Sequence, residues 1–371
     1  ENINGFYYYK KVDEIIIPEE INGRPVNSIA NSCRIDGDGV YSYSYGKFIT
    51  SKLSIPATVT QIEMRSLTSV DYIQVAEDNP NYSSKDGILY DKNKTTLLYY
   101  PYGIKSAEYT LPDTVTSIET SFGNNYLQEI HVSEKNTAFS SENGILYDKN
   151  KTTLLCYPRG IESEEYTLPD TVTNIRTYDK NDLEKNKYLK AIHVSKKNTA
   201  FASENGVLYD KYMTEIICYP EGKTDAVFTV PSTVTSIGVN DINYRKFTSI
   251  TFENPECEIA DYSWTICSGQ DKNTGDDIFD GTIYGYDNST AQAYAEKYGR
   301  NFESLGTAPI FETGDVSYDG SVSMIDIVLL QKYLLSAQKF TKAQLKLADM
   351  NQDNLVNIFD LVFLKQKLIY G

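Results

Sequence analysis

Residues 143–157 read NGILYDKNKTTLLCY, and the chain carries the same sentence twice more. Residues 86–100 read DGILYDKNKTTLLYY, and residues 205–219 read NGVLYDKYMTEIICY. Gly87, Gly144 and Gly206 are therefore equivalent, with spacings of 57 and 62 residues. Pro112, Pro169 and Pro231 repeat at those two spacings, inside TLPDTVTSI, TLPDTVTNI and TVPSTVTSI. Shorter relatives stand at SIPATVTQI around Pro56 and IIIPEEING around Pro18. Self-similarity at a fixed period is the signature of a repeat architecture.

Each long unit has three parts. A short alternating stretch comes first, LQEIHVS at 127–133 and LKAIHVS at 189–195. Apolar–polar alternation suits a strand with one buried face. A hairpin follows, because ILY and TLLYYP are β-prone and the polar DKNKT between them supplies a turn. The glycine before ILY adopts positive φ at low cost. The unit closes with YTLPDTVTSI, a strand ended by proline, which cannot extend a ladder on its N–H side. One such unit cannot bury its own apolar face, so neighbours stack into a solenoid.

This pattern resembles the leucine-rich repeats of the BspA-like class over roughly residues 10–305. The stretch 282–306, TIYGYDNSTAQAYAEKYGRNFESLG, is similar to that family's final unit, and AQAYAEKYG reads as a capping helix. Where the family has an AF pair after VxxIG, this chain has ETSF, RTYD and GVND, so individual rungs are expected to be irregular.

Composition narrows the function. Lys and Arg number 35 against 51 Asp and Glu, a formal charge of −16. Such a chain is repelled by phosphate, which argues against nucleic acid and against anionic membrane surfaces. No run of 18 apolar residues marks a membrane span. The sequence opens at Glu1 with neither Met nor a basic-then-apolar stretch, so Glu1 reads as a mature or trimmed N-terminus. Five cysteines (Cys33, Cys156, Cys218, Cys257, Cys267), odd in number and widely spaced, do not form the pattern of a disulfide framework. They read mostly as small buried hydrophobes, with a Cys257–Cys267 bridge left open. The two histidines, His131 and His193, hold the same repeat position. Two rungs would separate them by ~10 Å, which reads as repetition rather than a catalytic pair. No HExxH, GxSxG, Walker loop or dinucleotide fingerprint occurs. Most of the 31 tyrosines recur in register, which points to packing. Tyr7, Tyr8 and Tyr9, and the alternating Tyr41, Tyr43 and Tyr45, do not recur. They form either an N-terminal cap or a binding patch.

Beyond residue 305, GTAPIFET at 306–313 reads as a linker and the pattern changes. DVSYDGSVSMID spans 315–326, and DMNQDNLVNIFD spans 349–360, offset by 34 residues. A calcium ion takes about six to eight oxygens, and a twelve-residue loop offers them at positions 1, 3, 5, 7, 9 and 12. In the first loop these are Asp315, Ser317, Asp319, Ser321 through its carbonyl, Ser323 and Asp326. In the second they are Asp349, Asn351, Asp353, Leu355 through its carbonyl, Asn357 and Asp360. Gly320 and Asn354 occupy the sharp turn, where positive φ is needed. Val322 and Val356 are apolar plugs. MIDIVLLQKYLL (324–335) and IFDLVFLKQKLI (358–369) then read as matching helices. No helix precedes the first loop, and both loops end in Asp.

A duplicated loop-then-helix ending in Asp resembles the type I dockerin, over residues 314–371. The resemblance implies two bound calcium ions and a partner, the cohesin module of a scaffoldin in an extracellular complex that degrades plant polysaccharides. It also implies cohesin contacts at Met324, Ile325, Gln331 and Lys332, and at Ile358, Phe359, Lys365 and Gln366 in the second copy. Ser317 and Ser323 replace the commoner Asn, so the first ion site is expected to be the weaker. The copies differ at the contact positions, which argues against two-way symmetric docking.

The expected architecture is a mainly β leucine-rich-repeat solenoid with hairpin insertions (1–305), a linker (306–313) and a small all-α calcium-binding dockerin (314–371). The expected protein is not an enzyme. It is an extracellular, cell-surface or cellulosome-associated binding protein, monomeric apart from its cohesin, whose solenoid recognises a protein or plant glycan. Two alternatives stand beside this: a polysaccharide- or peptide-degrading enzyme with an unrecognised site, and a structural spacer.

Overall fold

A computed structural model describes residues 2–3, 6–7, 12–30, 49–67, 69–176, 183–272 and 274–370. Tyr8, Tyr9, Cys33, Tyr41, Tyr43 and Tyr45 lie outside the described residues, as does the side chain of Tyr7. Contacts divide the chain into two compact units, residues 1–163 with 171–188, and residues 164–170 with 189–371.

In the first unit the repeated sentence folds as expected, with one strand more. Tyr82–Lys85, Ile88–Asp91 and Thr96–Tyr99 form an antiparallel meander. Phe139–Glu142, Ile145–Asp148 and Thr153–Cys156 repeat it. DKNKT is the second turn of each meander. Asp148 holds it, its Oδ1 accepting from the backbone N–H groups of Thr152 (2.6 Å) and Thr153 (2.7 Å). The first turn is the two-residue Asn143-Gly144, with φ of 51° and 77°. Positive φ at both central residues is the type I′ hairpin, whose twist matches the flanking strands. A Cβ on Gly144 would also sit 3.0 Å from the Gln128 carbonyl oxygen. The strand before this glycine, FSSE, is nearly all polar, which is why alternation did not reveal it.

The meanders alternate with parallel pairs. Glu108–Leu111 runs parallel to Glu129–Val132. Alternation turns Tyr109, Leu111 and Ile130 inward, each at most 7% exposed. It turns His131 outward, 3.5 Å from the carboxylates of Glu108 and Glu129. The tyrosines that recur in register are interior, as expected. Tyr90 and Tyr109 share a 2.9 Å hydroxyl contact, and Tyr100 stands edge-on to Tyr109. Burial pushes the Tyr90 hydroxyl up to about 12.

A ladder of buried asparagines ties the rungs. In the first unit Asn79 and Asn136 are fully buried. Asn79 Nδ2 donates to the Pro56 and Val59 carbonyls of the preceding rung, and its Oδ1 accepts from Asn81 and Tyr82. Asn136 does the same toward Val115.

The second unit opens with the parallel pair Glu165–Leu168 and Ala191–Val194, where His193 meets Glu165 at 3.4 Å. The third meander is Phe201–Glu204, Val207–Asp210 and Ile216–Cys218. Asn198 and Asn254 continue the asparagine pattern here, both fully buried. Val227–Val230, Ser249–Phe252, Thr282–Gly285 and Asn301–Ser304 then form one parallel sheet in that order. The expected capping helix, α1, runs over Thr290–Tyr298. Ser289 caps its start, and Gly299 at φ 62° ends it. It buries Ala291, Tyr294 and Ala295 beside Ile250 and Ile283. Cys257 and Cys267 are buried free thiols, so the bridge left open by the sequence is not formed.

The last segment of this unit is helical. α2 spans Met324–Leu334, α3 Lys342–Ala348 and α4 Ile358–Tyr370. Val316, Ile327, Leu329, Leu330, Ala348, Leu361 and Leu364 form its small core. α2 and α4 are the two expected helices. α3 is additional, started by a Thr341–Gln344 capping box. Among the described residues no helix is long and apolar enough to cross a membrane.

Candidate functional site

The two acidic loops have nearly superposable hydrogen bonding. Positive φ falls at loop positions 4 and 6 in both: Tyr318 and Gly320 in the first, Gln352 and Asn354 in the second. The position-6 N–H donates to the position-1 carboxylate, Gly320 to Asp315 at 3.0 Å and Asn354 to Asp349 at 2.8 Å. The position-7 N–H donates to position 5, Ser321 to Asp319 at 2.9 Å and Leu355 to Asp353 at 2.8 Å. The last carboxylates, Asp326 and Asp360, accept from the N–H of Ser323 (2.7 Å) and Asn357 (2.8 Å). Their other oxygens reach different donors, Ser317 N–H for Asp326 and Met350 N–H for Asp360. The position-9 side chains have a second role as helix caps. Ser323 Oγ accepts from Ile325 N–H, and Asn357 Oδ1 from Phe359 N–H.

Burial matches between the loops at positions 5, 7, 9 and 12, but at positions 1 and 3 the first loop is the more buried. Asp315, Ser317, Asp326 and Asp360 are at most 1% exposed, while Asp319, Ser321, Asn351, Asp353 and Leu355 are exposed. Ser323, Asp349 and Asn357 are half-buried, and Val322 and Val356 pack on the core as plugs. Burial, and then the charge of Asp326, push the Asp315 carboxyl up to about 6.

The loops fit a hard cation by their chemistry. Every side-chain donor is oxygen, and the buried carboxylates Asp315, Asp326 and Asp360 make no ion pair with Lys, Arg or His among the described residues. Buried charge without a partner is costly, and a bound cation would relieve it. The described residues contain no gathered trio of His, Cys, Asp and Glu side chains. The loop carboxylates instead turn toward the loop's own N–H groups.

The helix faces behind the loops differ. On α4, Ile358, Phe359, Val362 and Phe363 are 59%, 64%, 44% and 43% exposed, with Lys365 and Gln366 exposed beside them. On α2, Met324 is 62% and Ile325 37% exposed, but Leu329 is fully buried and Val328, Gln331 and Lys332 are half-buried.

Sequence reading missed an aromatic pair elsewhere in this unit. Tyr262 and Trp264 stack with ring centroids 4.6 Å apart and remain 48% and 38% exposed. Their turn is firmly held. Tyr294 Oη donates to the Tyr262 carbonyl, the Arg300 guanidinium to the Ser263 and Asp277 carbonyls, and Ser263 Oγ to Asp277. The signal was present: Trp264 is the one tryptophan of the chain, in its least repetitive stretch.

Comparison with known proteins assigns the C-terminal segment. Residues 313–369 match the Dockerin type I domain family. No curated protein matches the chain. Among solved structures, the chain is similar to the pneumococcal vaccine antigen PcpA (18% identity, TM-score 0.30, covering 70% of this chain and 55% of that one). It is similar to a leucine-rich repeat protein from Eubacterium ventriosum (21%, TM-score 0.26, 56% and 44%). A leucine rich cell surface protein from Faecalibacterium prausnitzii is a third (16%, TM-score 0.32, 80% and 88%). The chain thus spans about half the length of the first two. The repeat fold is carried by the recurring meanders and parallel strand pairs.

Proposed function

We propose that the protein is a non-catalytic, extracellular binding component held on a scaffold through residues 313–369, which bind a cohesin module when loaded with two calcium ions. The observation that carries this reading is the match of that segment to the type I dockerin family. The exposed apolar stripe of α4 supports it, since interfaces are centred on apolar and aromatic anchors with a polar rim. Asp315, Ser317, Asp319, Ser321, Ser323 and Asp326 would hold one ion, and Asp349, Asn351, Asp353, Leu355, Asn357 and Asp360 the other. Calcium would supply the positive charge that lets the two loops keep buried carboxylates. The test is capture of the full chain on a panel of type I cohesin modules. Calcium-dependent retention by at least one is expected. Retention by none would end the tethering reading.

The repeats contribute the recognition surface in this proposal, and Tyr262 with Trp264 is its centre. A stacked, exposed aromatic pair on a pinned turn offers a rigid flat face to the apolar side of a sugar ring. The ligand class that fits is a plant cell-wall polysaccharide. Because Trp264 is the only tryptophan, its fluorescence reports the surface directly. Titration with cell-wall oligosaccharides is expected to shift that emission. Trp264→Ala should weaken retention on the matching polysaccharide by about 30-fold, as for a central aromatic anchor. Unchanged emission across the panel, or full retention by the variant, would remove this face from the proposal.

A further inference from the structure

The third meander departs from the other two at one place. Its second turn reads DKYMT at 210–214, where the others read DKNKT at 91–95 and 148–152. The backbone is the same: Met213 has φ 56°, against 54° for Lys94 and 53° for Lys151. The hairpin therefore did not require Tyr212 or Met213, since Asn93 and Asn150 serve the same turn. What Tyr212 does is lie against the dockerin. It packs on the dockerin core, and Lys332 Nζ sits 4.5 Å from its ring centroid. Gln338 just beyond α2 reaches Thr214 Oγ1 of the same turn at 3.5 Å. The first calcium-type loop also faces the repeats. Tyr318, Asp319 and Gly320 share a cleft with Ser232, Glu253 and Tyr286.

We infer that the Tyr212 turn is an internal seat that holds the first dockerin copy against the repeats, so that cohesin docks in one orientation, on the α4 face. This rests on the cohesin-binding reading above. The asymmetry of the two copies supports it. Leu329 and Lys332 on α2 are buried and half-buried, while their α4 equivalents Phe363 and Gln366 are exposed. A cohesin approaching along α2 must displace an aromatic ring and its cation–π contact. One approaching α4 meets no repeat residue among these contacts.

Two measurements on the full calcium-loaded chain test the inference, and they fail separately from the tethering reading. The first needs no cohesin. Amine labelling of the free chain should modify Lys332 several-fold more slowly than Lys365. Tyr212→Asn, which restores the residue of the other two turns, should remove that difference. Equal labelling of Lys332 and Lys365 in the unaltered chain would overturn the seat, whatever binds elsewhere. The second uses a captured type I cohesin. Ile358→Asp with Phe359→Asp should weaken binding at least ~100-fold, as for central apolar anchors. Adding Tyr212→Asn should recover most of that loss, because the first-copy face is then free. Binding that survives the α4 substitutions would overturn single-orientation docking, and a loss that Tyr212→Asn does not recover would overturn the seat as its cause. Absence of any cohesin binding would end the tethering reading and leave the labelling result to decide the seat.

Discussion

Removing calcium with a chelator is expected to unfold residues 313–369 and abolish cohesin capture, while the repeat strands keep their structure. The core of this segment is small, seven fully or nearly buried apolar side chains. Small domains bury too little surface to be stable alone and rely on staples or metals. This one also encloses Asp315, Asp326 and Asp360, without an ion pair among the described residues. Each loses hydration on folding and gains loop N–H groups, and for Asp315 also the Ser317 hydroxyl, in return. A ligand that binds only the folded state adds about 4 kcal/mol at 1,000 times its dissociation constant, and its removal subtracts the same amount. That is enough to empty the native state of a marginal module. Amide exchange reads the outcome locally. The N–H groups of α2 and α4 should lose protection in chelator, whereas the strands Ser249–Phe252 and Thr282–Gly285 in the same unit should not. Protection of α2 and α4 that is unchanged by chelator would show that the helices stand on apolar packing alone. Asp360→Ala should reproduce the effect in the second loop, since Asp360 also receives Met350 and Asn357 N–H groups.

Much of this architecture is legible in residues 86–219 alone. The identical DKNKT turns, the glycines before ILY and the proline-ended strands give period, hairpin and stacking. The twelve-residue spacing and the valine plugs give the two loops, with positive φ where Gly320 and Asn354 stand. What escaped reading has physical causes. The strand FSSE is polar because its hydroxyls serve the neighbouring backbone, Ser141 Oγ accepting from Val132 N–H at 3.0 Å. Such a strand has no hydrophobic period to detect. α3 is seven residues long, too short for periodicity, although its Thr341–Gln344 box was written in the sequence. Tyr212 stood in plain sight as the odd residue of DKYMT, but its meaning depends on a partner more than a hundred positions away. Trp264 was likewise visible as a residue, while its exposure and its stacking on Tyr262 are properties of the fold.

The asparagine ladder was hidden for the opposite reason: Asn-Thr and Asn-Pro read as loop. Asn136→Ala is expected to destabilise its rung by about 3 kcal/mol, because buried polar groups left without partners cost ~1–3 kcal/mol each. Three short hydrogen bonds centre on its side chain. It donates to the Val115 carbonyl at 2.9 Å, and accepts from Ala138 N–H at 2.9 Å and Phe139 N–H at 2.8 Å. Alanine leaves all three groups in a site that is fully buried. Asn136→Asp should be no milder. It keeps the acceptor for Ala138 and Phe139 but turns a second oxygen, charged and buried, toward the Val115 carbonyl. Asn93→Ala, in an exposed turn of the same unit, should cost less than about 0.5 kcal/mol. A repeat chain need not unfold in one step, so the local opening energy is the quantity to compare. Amide exchange at Tyr109 and Ile130, paired across the adjoining strands, should accelerate about 150-fold in Asn136→Ala, the factor that 3 kcal/mol implies. An acceleration below tenfold would mean that water enters and replaces the amide. In that case the rungs are held by apolar stacking, and the buried asparagines only set the register in which they stack.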